Sequence, residues 1–381
     1  VALIGNFLPR LCGIATFTTH VHDSLRRCFP NCEVDVYAMV DPGQAYDYPE
    51  PVVATIDQEK LADYFAAARA IEASGADLVW LQHEFGIFGG PAGRFVLSLL
   101  DRISAPVMVT LHTVLERPSP TQYEVLTGLS TRCAKLIVMA DKGREILERV
   151  YKVPCSKIAV IPHGVPDRPF VDPDTLKRRF GFHDRKVILT FGLLSPDKGI
   201  ETVINALSGI VAQCPEALYV VLGATHPHLV AREGEDYRQK LQALAEERGV
   251  ARYLHWVDGF VSESRLLDYL AAADVYVTPY LNPAQITSGT LSYAIGLGKP
   301  VVSTPYIHAT ELLAGRHGML VDFADSPGMV DAIGTLLSDK AARMTLASRA
   351  YRLGRGMVWN RTIEAAVALF SEQPVQSFNR C

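Results

Sequence analysis

The polar groups best placed for chemistry sit where apolar runs end. In the first half they are Gln82-His83-Glu84, followed by the glycine-rich Phe85-Gly86-Ile87-Phe88-Gly89-Gly90-Pro91, and His112 in Thr110-Leu111-His112-Thr113. Crowded polar residues ahead of a glycine loop suit ligand contacts; the plainer alternative is a solvated strand end. A lone histidine is usually structural, but His112 on a neighbouring strand would face the same space. Gly13, in Leu11-Cys12-Gly13-Ile14, lies at a strand-to-helix turn where the backbone can approach a ligand. In the second half, Lys198 follows Phe191-Gly192 and precedes Gly199, so it can neutralise a phosphate at a helix start. Gly223 ends another run, and Asp258-Gly259-Phe260 ends a third, where a backbone edge could meet a planar base. The stretch Pro283–Val302 carries Gln285, then Ser288-Gly289-Thr290, then Tyr293. Ser288, Gly289 and Thr290 are expected to open a helix, with orphan N–H groups and two hydroxyls forming an anion seat together with Lys198. His226 and His228 lack a third ligand nearby, so no metal site is expected.

Positioning these groups requires buried parallel sheets. Continuous Val/Ile/Leu runs at Val1–Ile4, Val34–Met39, Leu78–Leu81, Val107–Leu111, Leu136–Met139 and Ala159–Ile161 alternate with amphipathic stretches such as Gln58–Ser74. A second series follows at Val187–Phe191, Leu218–Leu222, Tyr253–Trp256, Val275–Thr278, Val301–Ser303 and Met319–Val321. Runs without alternation belong to sheets covered on both faces, joined by right-handed βαβ crossovers. The fold class is α/β, with two Rossmann-like doubly wound domains of about six strands each, facing a central cleft. The expected division is a domain at 1–165, a proline-rich linker at 166–175, a domain at 176–356 and a terminal segment at 357–381.

The chain of 381 residues carries a net charge of −4, which argues against nucleic acid or an anionic membrane as partner. Its seven cysteines are scattered without a CxxC or Cys/His box, as free thiols in a reducing cytoplasm would be. No stretch approaches the ~20 apolar residues of a membrane span. The sequence opens at Val1 within a strand pattern, as a trimmed N-terminus would, and the pattern fades over Gln373–Cys381. Oligomeric state has no readable signal.

The ordered set Cys12–Phe17, Gln82–Gly90, Thr110–Val114, Ile161–Val165, Phe191–Gly199, Val257–Val261, Ala273–Tyr280, Gly298–Pro305 and the Trp359 segment resembles the retaining glycosyltransferases of family 4, which have the GT-B fold. The resemblance covers nearly the whole chain. It implies a terminal helix, Asn360–Ser371, crossing back onto the first domain. It places Gly13 near the donor phosphates and acceptor, His112 near the transferred sugar and Lys198 on the donor diphosphate. It also puts the base and ribose around Gly223 and Val257–Phe260, and matches Glu311 to a glutamate at a helix start. Three positions depart from the pattern: Gln285 and Tyr293 stand where the family has a Glu-x7-Glu pair, and Leu193 stands where it has a phosphate-binding arginine. Gln285 keeps hydrogen bonding to sugar hydroxyls without charge, whereas Tyr293 cannot make a carboxylate's bidentate ribose contact.

The function implied is a hexosyltransferase acting on a nucleotide-sugar and a hydroxyl acceptor such as a saccharide, with retention and without metal or other cofactor. Alternatives are a family-4-like phosphorylase using phosphate or a sugar 1-phosphate, and a catalytically weak sugar-binding relative. A GT-B epimerase fits the motifs less well.

Overall fold

The computed structural model describes residues 1–371, so the fading segment Gln373–Cys381 lies outside the described residues. The chain divides into two units, Val1–Gly164 joined by the helix Trp359–Ser371, and Val165–Val358.

In the first unit the strands are β1 (Ala2–Gly5), β2 (Asp35–Val40), β3 (Val52–Asp57), β4 (Val79–His83), β5 (Val107–Leu111), β6 (Lys135–Val138) and β7 (Ile158–Val160). They form one sheet in the order β3-β2-β1-β4-β5-β6-β7, parallel throughout. β1, β4 and β5 are buried along their whole length, which is why residues 2–4, 79–81 and 107–109 read as unbroken apolar runs. β3 is an addition to the expected strands. It sits at the sheet edge with exposed and half-buried residues interspersed, and Pro49 and Pro51 precede it, so it lacks the continuous signature of a central strand. The helix Trp359–Ser371 packs on this sheet's helix Gly13–Cys28, with the Trp359 ring 5.0 Å from that of Phe17 and Ile363 and Ala366 in the core.

The second unit contains β8 (Lys186–Phe191), β9 (Ala217–Leu222), β10 (Leu254–Val257), β11 (Val275–Thr278), β12 (Val301–Ser303) and β13 (Met319–Leu320). Its order is β10-β9-β8-β11-β12-β13, again all parallel. The stretch 166–175 expected as a linker packs on this unit: Val171 lies against its core, and the Tyr351 hydroxyl donates to Arg168 O at 3.0 Å. In each sheet the strand order turns back at one point, between β1 and β4 and between β8 and β11. At such a switch point neighbouring crossovers diverge and leave a crevice at the carboxyl ends of the strands.

Candidate functional site

The second unit's switch point gathers several of the expected residues. β8 leads into Gly192, whose φ of +127° suits glycine, and a Cβ there would touch Thr290 Cγ2 at 3.4 Å. Gly223, after β9, has φ +145°, and its Cβ would stand 2.0 Å from Gly192 O, so two glycines permit the close backbone approach. Lys198 ends a short turn capped by Gly199, and its Nζ lies 3.9 Å from the Tyr280 ring centroid. Tyr280 follows β11 and stacks on Tyr306 at 5.2 Å, while its hydroxyl pairs with Thr290 Oγ1 at 2.8 Å.

Ser288 caps the helix Gly289–Gly296 as the spacing predicts. Its Oγ accepts from Leu291 N at 3.3 Å and lies 3.2 Å from Thr290 Oγ1, while its own N–H donates to His308 Nδ1 at 2.9 Å. Among the described residues this leaves the Gly289 and Thr290 N–H groups as unspent donors of the first turn. A lysine ammonium on an aromatic face beside such donors is chemically a seat for a phosphate oxyanion.

Other expected residues lie differently. Gln285 turns its amide nitrogen onto Thr287 O at 3.1 Å, so that nitrogen serves its own loop. Tyr293 is buried, with its hydroxyl donating to Glu263 Oε1 at 3.4 Å. Asp258 pairs with Arg238, whose Nη2 also donates to Gly223 O at 2.6 Å, while Phe260 stands exposed. Glu311 falls near the end of the helix Ile307–Leu312 instead of at its start. Tyr280, Arg238, Glu263 and His308 were not singled out from the sequence. Tyr280 closes the apolar run Ala273–Tyr280, and the others lie inside helices, so no strand-end signal marks them.

In the first unit, Gly13 opens its helix into clear space, since a Cβ there would meet nothing within 4 Å. His112 and Gln82 come together, Nε2 to Oε1 at 3.2 Å, and the edge of Phe17 approaches His112 at 4.7 Å. Burial, with His163 and His83 nearby, pushes the His112 imidazole down to about 3, so it is neutral at physiological pH. Gln82 and His83 are fully buried, which corrects their reading as direct ligand contacts. His83 packs between the rings of Phe85 and Phe88 and presents no surface. Glu84 accepts from Thr113 Oγ1 at 2.5 Å and from Phe85 N at 2.9 Å, and burial raises its pKa. Among the described residues, no group of three His, Cys, Asp or Glu side chains could hold a metal ion, and no helix is long and apolar enough to cross a membrane.

Comparison with known proteins supplies the family. Residues 12–168 match the model described as Glycosyltransferase Family 4, and residues 185–339 match Glycosyl transferases group 1. A similar curated protein is the GDP-mannose-dependent alpha-(1-6)-phosphatidylinositol monomannoside mannosyltransferase of Mycolicibacterium smegmatis, 30% identical over 212 residues, covering 52% of this chain and 53% of that protein. A D-inositol 3-phosphate glycosyltransferase of Xylanimonas cellulosilytica is 29% identical over 296 residues, 71% of this chain and 67% of its own. The chain thus spans about half the length of the first of these relatives and two thirds of the second. Among solved structures, HepE of Anabaena in complex with UDP superposes with a TM-score of 0.77 at 19% identity, covering 97% of this chain and 99% of that one. WaaG, a glycosyltransferase involved in lipopolysaccharide biosynthesis, gives 0.70 at 17% identity, covering 98% and 100%. These likenesses carry the fold. The two family models, matched one to each doubly wound unit, carry the assignment: the chain belongs to the glycosyltransferases of group 1, family 4, with the GT-B fold.

Proposed function

We propose that the protein transfers a sugar from a nucleotide-sugar to a hydroxyl of a saccharide or similar acceptor, with retention at the anomeric carbon and without a metal. The observation that carries this reading is the oxyanion seat of the second unit: Lys198 over Tyr280, beside the Ser288-Gly289-Thr290 helix start. In the proposed reaction the bond from the anomeric carbon to the diphosphate oxygen breaks, and its electron pair leaves with the diphosphate. The acceptor oxygen forms the new bond, and its proton passes to the departing phosphate oxygen. The protein's part is positioning and stabilisation of the growing phosphate charge, for which Lys198 and the helix N–H groups are suited.

His112 and Gln285 would hold the sugar. Gly13 would lie close to the donor phosphates and acceptor, and Gly223, Asp258 and Phe260 would border the nucleoside. Tyr293 replaces a carboxylate, but it meets Glu263, so we assign the ribose contact to Glu263. A nucleotide-sugar donor agrees with the GDP-mannose and UDP named for similar proteins.

The test is transfer from UDP-, GDP- and ADP-sugars to a panel of saccharide acceptors, with the product anomer read by NMR. The expected product keeps the donor's anomeric configuration, at a rate unchanged by EDTA. An inverted product, or abolition by EDTA, would overturn the retaining, metal-free reading.

A further inference from the structure

Three consecutive residues at the end of β4 each hold the segment that carries His112. Gln82 Oε1 lies 3.2 Å from His112 Nε2. The His83 carbonyl accepts from the His112 backbone N–H at 3.0 Å. Glu84 Oε2 accepts from the Thr113 hydroxyl at 2.5 Å, while its other oxygen is fixed by Phe85 N. The edge of Phe17 closes on the His112 ring. Gly5 makes room for this arrangement, since a Cβ there would stand 3.0 Å from Gln82 Cβ.

We propose that Gln82-His83-Glu84 is a positioning clamp that fixes His112 as its Nε2–H tautomer and presents Nδ1 as a hydrogen-bond acceptor for a ligand hydroxyl. The Gln82 carboxamide turns its oxygen toward the ring, and an oxygen only accepts, so the imidazole nitrogen facing it carries the proton; the amide turned over would donate and reverse the tautomer. A neutral imidazole has one donor and one acceptor, which makes Nδ1 the acceptor. Burial keeps this ring neutral at physiological pH, so one of its two nitrogens is bare. Nδ1 makes no hydrogen bond among the described residues, and it is not among the fully buried polar atoms that lack a partner. It is therefore the edge of the ring left open to a ligand.

Gln82 itself is fully buried, with its Nε2 unpartnered. Burial takes that amide group out of water. The contact of Oε1 with His112 is the side-chain hydrogen bond that Gln82 makes among the described residues. The consequence is a selectivity: the group set against His112 must bring its own proton, as a sugar hydroxyl does and a carboxylate does not. That the hydroxyl belongs to a sugar rests on the transferase reading; the tautomer does not.

The test is a long-range 1H–15N correlation of histidine-labelled protein near neutral pH, with His112 assigned by its loss in His112→Asn. The expected spectrum shows Nε2 protonated and Nδ1 bare. Gln82→Leu should mix the tautomers and lower kcat by about tenfold to a hundredfold, as lost orientation does, with donor KM and thermal midpoint little changed. A native Nδ1–H tautomer or an imidazolium would overturn the clamp, as would a Gln82→Leu protein with the native tautomer and native kcat. If Gln82→Leu fails to fold, the spectrum of the native protein still decides. A chain that shows the expected tautomer but uses no nucleotide-sugar would refute the transferase reading and leave the clamp standing.

Discussion

At the scale of single residues, the second unit's seat depends on how Tyr280 serves Lys198. The ring lies beneath the ammonium, and the hydroxyl ties the seat to Thr290. A cation over an aromatic face contributes about 0.5–2 kcal/mol, and a neutral hydrogen bond about 1 kcal/mol. Tyr280→Phe keeps the ring and should weaken nucleotide-sugar binding by about fivefold or less. Tyr280→Leu loses both contacts and should weaken it by about tenfold to a hundredfold. Calorimetric titration of both variants, with thermal midpoints to control for folding, checks the order; equal losses would remove the cation–π contact from the account. The sequence pointed to Lys198, Ser288 and Thr290 through helix-start chemistry, which depends on local spacing. Tyr280 escaped because it reads as the last apolar residue of a buried strand. Gln82 and His83 were misplaced for a related reason: strand-end polarity does not tell whether a side chain faces solvent or a neighbouring strand.

At the scale of elements, the sheets were legible except for the edge strand β3. Val107–Leu111, Val275–Thr278 and Val301–Ser303 appear as read, because strands buried on both faces must be apolar throughout. β3 needed no such run, since an edge strand keeps part of itself in solvent. The loops after β8 and β9 depend on glycine, most sharply at Gly223. Gly223→Ala would combine a strained left-handed backbone with a Cβ 2.0 Å from Gly192 O, so one of the two loops must move. We expect a loss of stability of about 1–3 kcal/mol by urea unfolding, together with weaker donor binding. A variant with native stability and native affinity would show that the two glycine loops do not have to meet. Arg238, which joins Gly223 O to Asp258, illustrates what sequence cannot supply: a helix residue reaching two strand ends across a loop.

At the scale of the whole molecule, buried titratable groups set the pH dependence of stability. His83 and His112 are pushed down to about 3 and His163 to about 4, each chiefly by burial. An unfolded histidine titrates near 6.5, so between about 3 and 6.5 the unfolded chain binds more protons and stability falls as pH drops. Glu84, raised by burial, opposes this in part. Lys299 is lowered to about 7 by burial, although Asp274 pulls the other way, and its Nζ donates to Ala271 O at 2.6 Å. Between about 7 and 8.5 the unfolded lysine is again the better proton binder, so stability should climb on the alkaline side; above about 8.5 the thiols oppose it, because burial raises Cys133 to about 11 and lifts Cys214 as well, and unfolded thiols ionise first. Above about 10 the trend reverses, because Tyr64, Tyr219 and Tyr306 are raised and unfolded tyrosines ionise first. Urea unfolding across pH should therefore peak between about 8 and 10, and Lys299→Met should flatten the climb from 7; a maximum near pH 6 would contradict this. The central claim, that the seat at Lys198 holds the diphosphate of a nucleotide-sugar, is tested most directly by thermal-shift titration of native protein and Lys198→Ala. The ligands are UDP-, GDP- and ADP-sugars, set against sugar 1-phosphates and inorganic phosphate. At least one nucleotide-sugar should stabilise the native protein, by about 2.7 kcal/mol at a hundredfold excess over Kd, and Lys198→Ala should lose most of that gain. Stabilisation by phosphate or a sugar 1-phosphate and by no nucleotide would contradict the account and favour a phosphorylase.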